Sequence, residues 1–164
     1  MLDIFGPASL SSVVRPFALM QESLKRLIAE LHTAYFKPNG FKKERQRFRR
    51  DVDAVMQEVE FQSSSWNSSG GPVTFYVNIS VGFADIPMKD GQPALTGSGR
   101  LPGLVPDAPA QFELTATNFE SIRSDLLAFL PQALSELPKH YENVRSRAKA
   151  GWFTPIPLPD TWRA

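Results

Sequence analysis

Glu58 and Glu60 are the residues of this chain whose spacing best suits catalysis or metal binding. They stand two positions apart in residues 55–62, where apolar and polar side chains alternate, and in a strand such residues point to one face of the sheet. Two neighbouring carboxylates can hold Mg²⁺ or share acid and base roles. The alternative is that Arg45 and Arg47 of the preceding segment pair with them, which keeps both carboxylates ionised. We expect this pairing, so the sequence predicts no catalytic residue.

The charges of the chain are unevenly distributed although they nearly cancel, with 18 Lys and Arg against 17 Asp and Glu. Residues 41–50 hold six positive charges and one negative charge, a net +5, whereas residues 51–125 hold three positive and ten negative charges, a net −7. A domain that is attracted to nucleic acid by its overall electrostatic field would carry a clear net positive charge. The pattern indicates instead that the basic run is neutralised within the protein.

A group of polar and aromatic residues is suited to recognition. Gln62, Tyr76 and Asn78 alternate with the apolar residues of their strands, and Trp66 lies in the Ser- and Gly-rich segment between those strands. Asn and Gln are unfavourable in strands but offer fixed donors and acceptors. A solvated sheet face is one interpretation of this group, and a surface for a ligand or partner is the other.

Other chemical signatures are weak. The chain has no cysteine and only two histidines, His32 and His140, whose spacing links them to no further ligand. Residues 97–99, Gly-Ser-Gly, lack the outer glycines of a nucleophile elbow, and no phosphate loop occurs. We therefore expect neither a metal site nor a cofactor, and an enzyme of unknown reaction built on Glu58 and Glu60 is the weaker alternative.

The elements that position these residues follow from hydrophobic periodicity. Residues 12–36 have apolar side chains at three- and four-residue spacings, which predicts an amphipathic helix with Ser11 or Ser12 as its cap. Alternation predicts strands, most clearly in VTFYVNISVGF at residues 73–83. The other predicted strands cover residues 41–50, 55–62, 96–101 and 111–116.

The last third of the chain predicts more helix. Thr117-Asn-Phe-Glu120 matches a capping box, so a helix should begin there and continue to about Leu130. Pro131 and Pro138 should break or kink the next segment, although an apolar helical stripe continues to Ala148.

Together these elements predict an α+β domain over residues 1–151. Its antiparallel β-meander sheet of four to five strands should be packed on one face by the N-terminal and C-terminal helices. Residues 152–164 form a proline-rich tail, which is either a free polyproline segment that a partner recognises or, as we expect, folds back onto the domain through its large aromatic residues. Those residues are Trp152, Phe153 and Trp162.

A strand register can be derived if residues 51–54 form the turn of the first hairpin, with Arg50 opposite Val55. Opposite charges then face each other across the strands and contribute about 0.2–1 kcal/mol per pair. The pairs predicted in this way are Arg47 with Glu58, Arg45 with Glu60 and, in the next hairpin, Phe61 with Phe75.

Several short motifs occur in a fixed order along the chain. They are Gly-Phe-Lys-Lys at 40–43, Phe-Arg-Arg at 48–50, Phe-Gln-Ser-Ser at 61–64 before Trp66, and Phe-Tyr-Val-Asn-Ile at 75–79. In this order they resemble the bacterial family called domain of unknown function 4304. The layout is similar over residues 20–130, and the specific motifs lie within residues 40–83. The resemblance implies a fold and the location of a site, but no reaction.

The sequence therefore predicts a cytoplasmic, non-enzymatic binding or regulatory module that uses the polar sheet face and the loops at 63–72 and 85–110. The sequence does not identify the partner, and another bacterial protein is one class of partner. A membrane is not expected, because no apolar run approaches the roughly 18 residues of a span and the amino terminus lacks a secretory signal pattern. The alternative function is single-stranded nucleic-acid binding along residues 42–50, with bases stacked on aromatic residues. Those aromatic residues are Phe41, Phe48, Trp66 and Tyr76.

Overall fold

The computed structural model describes residues 14–68, 71–86, 95–150 and 156–157, with side chains between residues 22 and 150. Within these residues the elements are α1 (Val14–Leu31), β1 (Lys42–Glu44), β2 (Arg47–Val52), β3 (Val55–Ser63), β4 (Val73–Phe83), β5 (Gly97–Arg100), β6 (Phe112–Leu114), α2 (Phe119–Glu136), α3 (Tyr141–Lys149) and β7 (Ile156–Pro157). A π-helical turn over His32–Phe36 extends α1, and 3₁₀ turns cover Leu101–Gly103 and Leu137–His140. The α+β prediction is confirmed, with more strands than expected.

The strands form one sheet in the order β1-β2-β3-β4-β5-β7, and β6 pairs with β4 next to β5. The neighbours from β1 to β6 are antiparallel, and the two-residue strand β7 adds to β5 in parallel. The meander connection predicted for the first strands is therefore present. It carries the polar residues of β2, β3 and β4 on adjacent strands.

The sequence predicted a single strand for the basic run at residues 41–50. The structure instead contains a hairpin of β1 and β2. Glu44 lies opposite Arg47, so only Arg45 and Gln46 make the turn, and Arg45 has a positive φ of 55°. Two-residue hairpin turns favour Gly, Asn or Asp because they require positive φ. Neither turn residue belongs to that group, so the turn could not be predicted from the sequence.

The next hairpin is tighter than predicted, and its register differs by two residues. Asp53 and Ala54 alone form the turn, with φ of 50° and 64°, and Val52 lies opposite Val55. Both positive φ values match the turn geometry that suits the twist of paired strands. The two-residue shift alters every cross-strand pair of β2 and β3 but leaves each side chain on its predicted face.

The predicted cross-strand pairs are therefore wrong in detail. Arg47 lies opposite Glu60 instead of Glu58, and Arg49 lies opposite Glu58. Arg45 lies in the turn and pairs with neither glutamate. Between β3 and β4 the register also shifts by two residues. Phe61 faces Val77, Glu60 faces Asn78 and Gln62 faces Tyr76.

The hydrophobic core lies between the sheet and the helices. The odd-numbered residues of β4 from Val73 to Phe83 are all buried, as their alternation predicts. Phe36 of the π-helical turn stacks on Phe48 of β2, with ring centroids 3.9 Å apart. Fully burying such a side chain contributes about 1.5–3 kcal/mol. The buried helical residues include Leu24, Leu27, Ile28 and Leu31 of α1, and Ile122, Leu126, Leu130 and Leu134 of α2.

The segment at residues 85–110 is less loop-like than predicted. Its described part contains β5 and the 3₁₀ turn, and five of its apolar side chains belong to the core. These side chains therefore anchor the described part of the segment to the domain. The five side chains are Ile86, Leu101, Leu104, Val105 and Ala108.

Helix α2 continues through Pro131 to Glu136, so the predicted end near Leu130 is wrong. Pro131 is exposed, whereas Leu130, Ala133 and Leu134 beside it are buried. A proline inside a helix costs about 3 kcal/mol through its missing donor and its ring. Burial of the surrounding side chains offsets this cost and keeps the helix continuous.

The predicted capping box is also wrong. The helix begins at Phe119, and the side chain of Asn118 turns back to the preceding strand instead of capping the helix. Asn118 Nδ2 donates to the carbonyl of Glu113, and its Oδ1 accepts from the amide of Thr115, both at 2.8 Å. This side chain therefore occupies backbone groups at the end of β6 that would otherwise be free.

Several predictions lie outside the described residues. These include the cap at Ser11 or Ser12 and the docking of Trp152, Phe153 and Trp162, so the boundary between domain and tail stays a prediction. In the part of the chain that the structure describes, no helix has the length and apolar character required to span a membrane.

A candidate binding face on the outer side of the sheet

We call the face of the sheet that points away from the helices the outer face. Two rows of polar side chains cross it, and Gln62 opposite Tyr76 forms a further pair beside the first row. Side chains alternate between the two faces along each strand, and residues paired across neighbouring strands point to the same face. Each row therefore continues across five strands. The first row contains Glu44, Arg47, Glu60, Asn78 and Arg100. The second row contains Lys42, Arg49, Glu58, Ser80 and Ser98.

Both glutamates of β3 are held by arginines of β2. Arg47 Nε donates to Glu60 Oε1 at 2.8 Å, and Arg49 Nε donates to Glu58 Oε2. The hydrogen bond to Glu60 raises the pKa of Arg47. Glu58 is only 3% exposed, so its charge is compensated mainly by Arg49. The arrangement favours ion pairing of these carboxylates over general acid–base work.

The amide side chains of the outer face bind each other. Asn78 Nδ2 donates to Gln62 Oε1 at 2.8 Å, across β3 and β4. Beside them the guanidinium carbon of Arg100 lies 3.9 Å from the ring centroid of Tyr76. Such contacts fix the rotamers of polar side chains, so the face presents donors, acceptors and a flat cation in set positions.

Trp66 lies in the loop between β3 and β4, which borders the end of the outer face near Gln62 and Tyr76. It is 91% exposed. Its loop is nevertheless anchored to β4, because Asn67 Nδ2 donates to the Thr74 carbonyl at 2.9 Å and the Thr74 amide donates back to Asn67 Oδ1 at 2.8 Å. The Ser64 amide also donates to the Thr74 carbonyl at 2.9 Å. The backbone is therefore fixed while the indole is in solvent, and exposed tryptophans of this kind are enriched among the main contacts of protein interfaces.

Comparison with known families gives one match. The model of the family described as Domain of unknown function (DUF4304) matches residues 32–128, which is more than half of the chain. The chain belongs to this family. No curated protein and no solved structure matches the chain.

All eight residues predicted for a site lie within the range that matches the DUF4304 family. Seven of them lie on the outer face or in its bordering loop, and Arg45 lies in the turn between β1 and β2. The seven are Arg47, Glu58, Glu60, Gln62, Trp66, Tyr76 and Asn78.

Two members of this face, Arg49 and Arg100, were not predicted from the sequence. Arg49 was left unpaired by the two-residue error in register. Arg100 falls in a strand that the sequence did predict, at residues 96–101, but its register against β4 was unknown. The signal that could have found it is alternation, because glycines at 97 and 99 place Ser98 and Arg100 together on the other face.

A second polar cluster lies on the inner side of the sheet. Gln57, only 2% exposed, accepts from Arg50 Nε at 2.8 Å and donates to the hydroxyl of Tyr141. Arg50 also donates to the Asn39 carbonyl at 3.0 Å. Burial raises the pKa of Tyr141, although Gln57 and Arg50 oppose the change, and burial also raises the pKa of Tyr35. These contacts join the turn after the π-helical segment, the sheet and α3, which is a structural role.

The described residues contain no group of three or more His, Asp or Glu side chains close enough to hold a metal ion. His32 lies against Phe48, with ring centroids 5.7 Å apart. Burial lowers the pKa of His32, and Lys43 and Lys37 lower it further through their charges. Neither glutamate of β3 lies in a cluster of the kind that a metal requires.

Proposed function

We propose that this chain is a non-enzymatic binding or regulatory module of the bacterial cytoplasm, and that its outer face docks another protein. The observation that carries the proposal is Trp66, which is 91% exposed on an anchored loop beside an ordered set of polar side chains. Interfaces combine aromatic anchors with arginine and surround them with polar groups. The end of the outer face near Trp66, Tyr76 and Arg100 has this composition.

The enzymatic alternative is less well supported by the same geometry. A catalytic carboxylate must reach substrate, but Glu58 is 3% exposed and Glu60 is bonded to Arg47. The usual sign of a catalytic site is a titratable side chain with a shifted pKa that lies in a cleft and is free to contact substrate. The inner cluster at Gln57 and Tyr141 has its polar groups bonded to each other.

Single-stranded nucleic-acid binding is the second candidate function. It is supported by Lys42, Lys43 and Arg45, which are exposed near the edge of the sheet. Base stacking has less support, because Phe41 and Phe48 are buried in the core. The exposed aromatic residue Trp66 belongs to the loop that connects β3 to β4, whereas these cations lie at the β1 edge. Cations and stacking platforms are therefore separated by about 10–15 Å of sheet, given strand spacings near 4.8 Å.

The test is affinity capture of partners from the native host by the tagged full chain, compared with the triple variant Gln62→Ala/Trp66→Ala/Asn78→Ala. All three side chains point away from the core, so we expect the variant to stay folded. A matched control, Ser124→Ala/Gln132→Ala/Asn143→Ala, alters exposed residues of α2 and α3. The proposal expects a protein that is captured by the natural chain and the control but not by the triple variant. Equal capture by all three chains, or unfolding of the triple variant, contradicts it.

A further inference from the structure

Arg100 differs from the other arginines of the outer face in how its charge is compensated. Arg47 and Arg49 each bind a glutamate of β3. Among the described residues, Arg100 makes no ion pair, and its observed partner is the ring of Tyr76. A guanidinium on an aromatic face keeps its in-plane donors free, because stacking uses only the flat side of the group.

Among the described residues, neither Glu60 in the same row, which binds Arg47, nor Glu113 compensates Arg100. Glu113 of β6 lies opposite Thr74, on the same face and two residues from Tyr76. Its Oε1 accepts a hydrogen bond from Gln111 Nε2 at 3.2 Å, and no ion pair with Arg100 is formed. Among the described residues, no carboxylate therefore compensates the positive charge of Arg100.

The surroundings of Arg100 specify what such a group would be. Asn78, opposite Arg100, is bonded to Gln62, so the amide row beside the cation is held in place. The exposed indole of Trp66 belongs to the loop anchored at Thr74. A guanidinium with free in-plane donors fits a carboxylate in a bidentate manner, and an indole adds a flat apolar surface.

We propose that Arg100, oriented by Tyr76, is the specificity-determining residue of the outer face, and that the docked partner is a protein segment with a carboxylate beside an apolar side chain. This inference rests on the proposed function and names the chemistry of its partner. The carboxylate pairs with Arg100, and the apolar side chain packs on Trp66. Tyr76 is a positioning residue, since it acts through the orientation of the guanidinium.

The probe for this inference is a random twelve-residue peptide library displayed on phage and selected on the full-length chain. Selection runs in parallel on Arg100→Gln and on the control Arg26→Gln. Arg26 is a matched control because it also stacks on a ring, that of Phe119 at 4.4 Å, but on the helical side. We expect selected peptides to contain Asp or Glu next to an apolar residue on the natural chain and on Arg26→Gln, and to lose the acid on Arg100→Gln.

The selected peptides are then measured individually by fluorescence anisotropy. Changing the acidic residue to its amide should weaken binding to the natural chain by about three- to tenfold, as expected for one charge-assisted pair. The same change should have no effect on Arg100→Gln. Peptides that require Trp66 but show no preference for an acid overturn this inference and leave the proposed function intact. Peptides that bind the Gln62→Ala/Trp66→Ala/Asn78→Ala variant equally well overturn both.

Discussion

Arg47 lies opposite Glu60 on the adjacent strand, and its Nε donates to Glu60 Oε1 at 2.8 Å. One row further along the same strands, Arg49 binds Glu58. Two of the six positive charges between residues 41 and 50 are therefore compensated inside the sheet. These ion pairs therefore compensate part of the charge of the basic run at residues 41–50.

The first prediction concerns the coupling between Arg47 and Glu60. Both side chains are partly exposed, so their interaction is screened by water. A double-mutant cycle with Arg47→Ala and Glu60→Ala should give a coupling free energy of about 0.2–1 kcal/mol. Urea unfolding of the four proteins measures it. A coupling free energy near zero would contradict the pairing seen in the structure.

The second prediction compares the two arginines of β2. Arg49→Met leaves Glu58 as a buried carboxylate without its ion pair, and this should lower the free energy of unfolding by about 2–4 kcal/mol. Arg47→Met removes a partner from the more exposed Glu60 and should cost less than about 1 kcal/mol. The two variants have the same change in volume and charge. Equal losses in chemical denaturation would show that the burial of Glu58 has no energetic consequence.

The faces of the sheet could be predicted from the sequence, but the pairing of its strands could not. Alternation in VTFYVNISVGF assigned Phe75, Val77 and Ile79 to the core and Tyr76 and Asn78 to the outer face, and both assignments are confirmed. The register failed because it depends on turn length. Asp53 and Ala54 adopt positive φ, but their turn lacks the glycine from which such turns are usually predicted. An error of two residues keeps the face of every side chain and changes every neighbour.

Local signals failed where tertiary packing or an alternative hydrogen bond decided the structure. Pro131 predicted the end of a helix, but burial of Leu130, Ala133 and Leu134 holds the helix together. Asn118 replaced the predicted capping box because its side chain binds the end of β6. The position of Arg100 on Tyr76 depends on the pairing of β4 with β5 across more than 15 residues of chain, which no local pattern encodes.

The third prediction concerns acid stability through Asp85. Its hydrogen bond with Arg145 lowers its pKa below the ordinary value of 3.8, and Lys149 lowers it further. A carboxyl whose pKa is lower in the folded state stabilises the protein above its unfolded pKa, and this stabilisation disappears as the pH falls through the folded pKa. Asp85→Asn should therefore be less stable than the natural chain at neutral pH.

The difference between Asp85→Asn and the natural chain should shrink as the pH falls below about 3.8 and disappear as the pH passes through the lower pKa of the folded state, where the carboxyl of the native protein becomes protonated. Urea unfolding as a function of pH measures this convergence. Asp107→Asn is the control, since Asp107 is exposed and makes no ion pair among the described residues. A constant difference between Asp85→Asn and the natural chain across the acidic range would refute the assignment.

The fourth prediction concerns the link between α3 and the sheet. Tyr141→Phe removes the hydroxyl that accepts from the buried side chain of Gln57, and this should cost about 1–2 kcal/mol. Tyr35→Phe removes a similar hydroxyl that has no hydrogen bond among the described residues, so its cost should be smaller. Thermal and urea unfolding of both variants provide the comparison. A loss for Tyr35→Phe as large as that for Tyr141→Phe would contradict a specific role for the bond to Gln57.

The fifth prediction separates the two candidate functions. Fluorescence titration with single-stranded DNA and RNA oligonucleotides at low salt should show no saturable binding, because the arginines of β2 are paired and two of the proposed stacking rings are buried. Nucleic-acid binding would instead give affinities near the micromolar range with a steep dependence on salt. That result, abolished by Lys42→Ala/Lys43→Ala/Arg45→Ala, would replace a protein with nucleic acid as the partner of this chain.

The most direct test of the outer face as a docking surface is the accessibility of Trp66. Hydroxyl-radical footprinting measures how fast this indole is oxidised in the isolated chain and in the complex with the captured partner. With 91% of the residue exposed, Trp66 should be oxidised rapidly when the chain is alone. We predict that the partner slows its oxidation several-fold, and that the exposed residues of α2 are oxidised at the same rate with and without the partner. Unchanged oxidation of Trp66 in a stable complex, with protection on α2 instead, would show that the partner binds elsewhere and that the central claim is wrong.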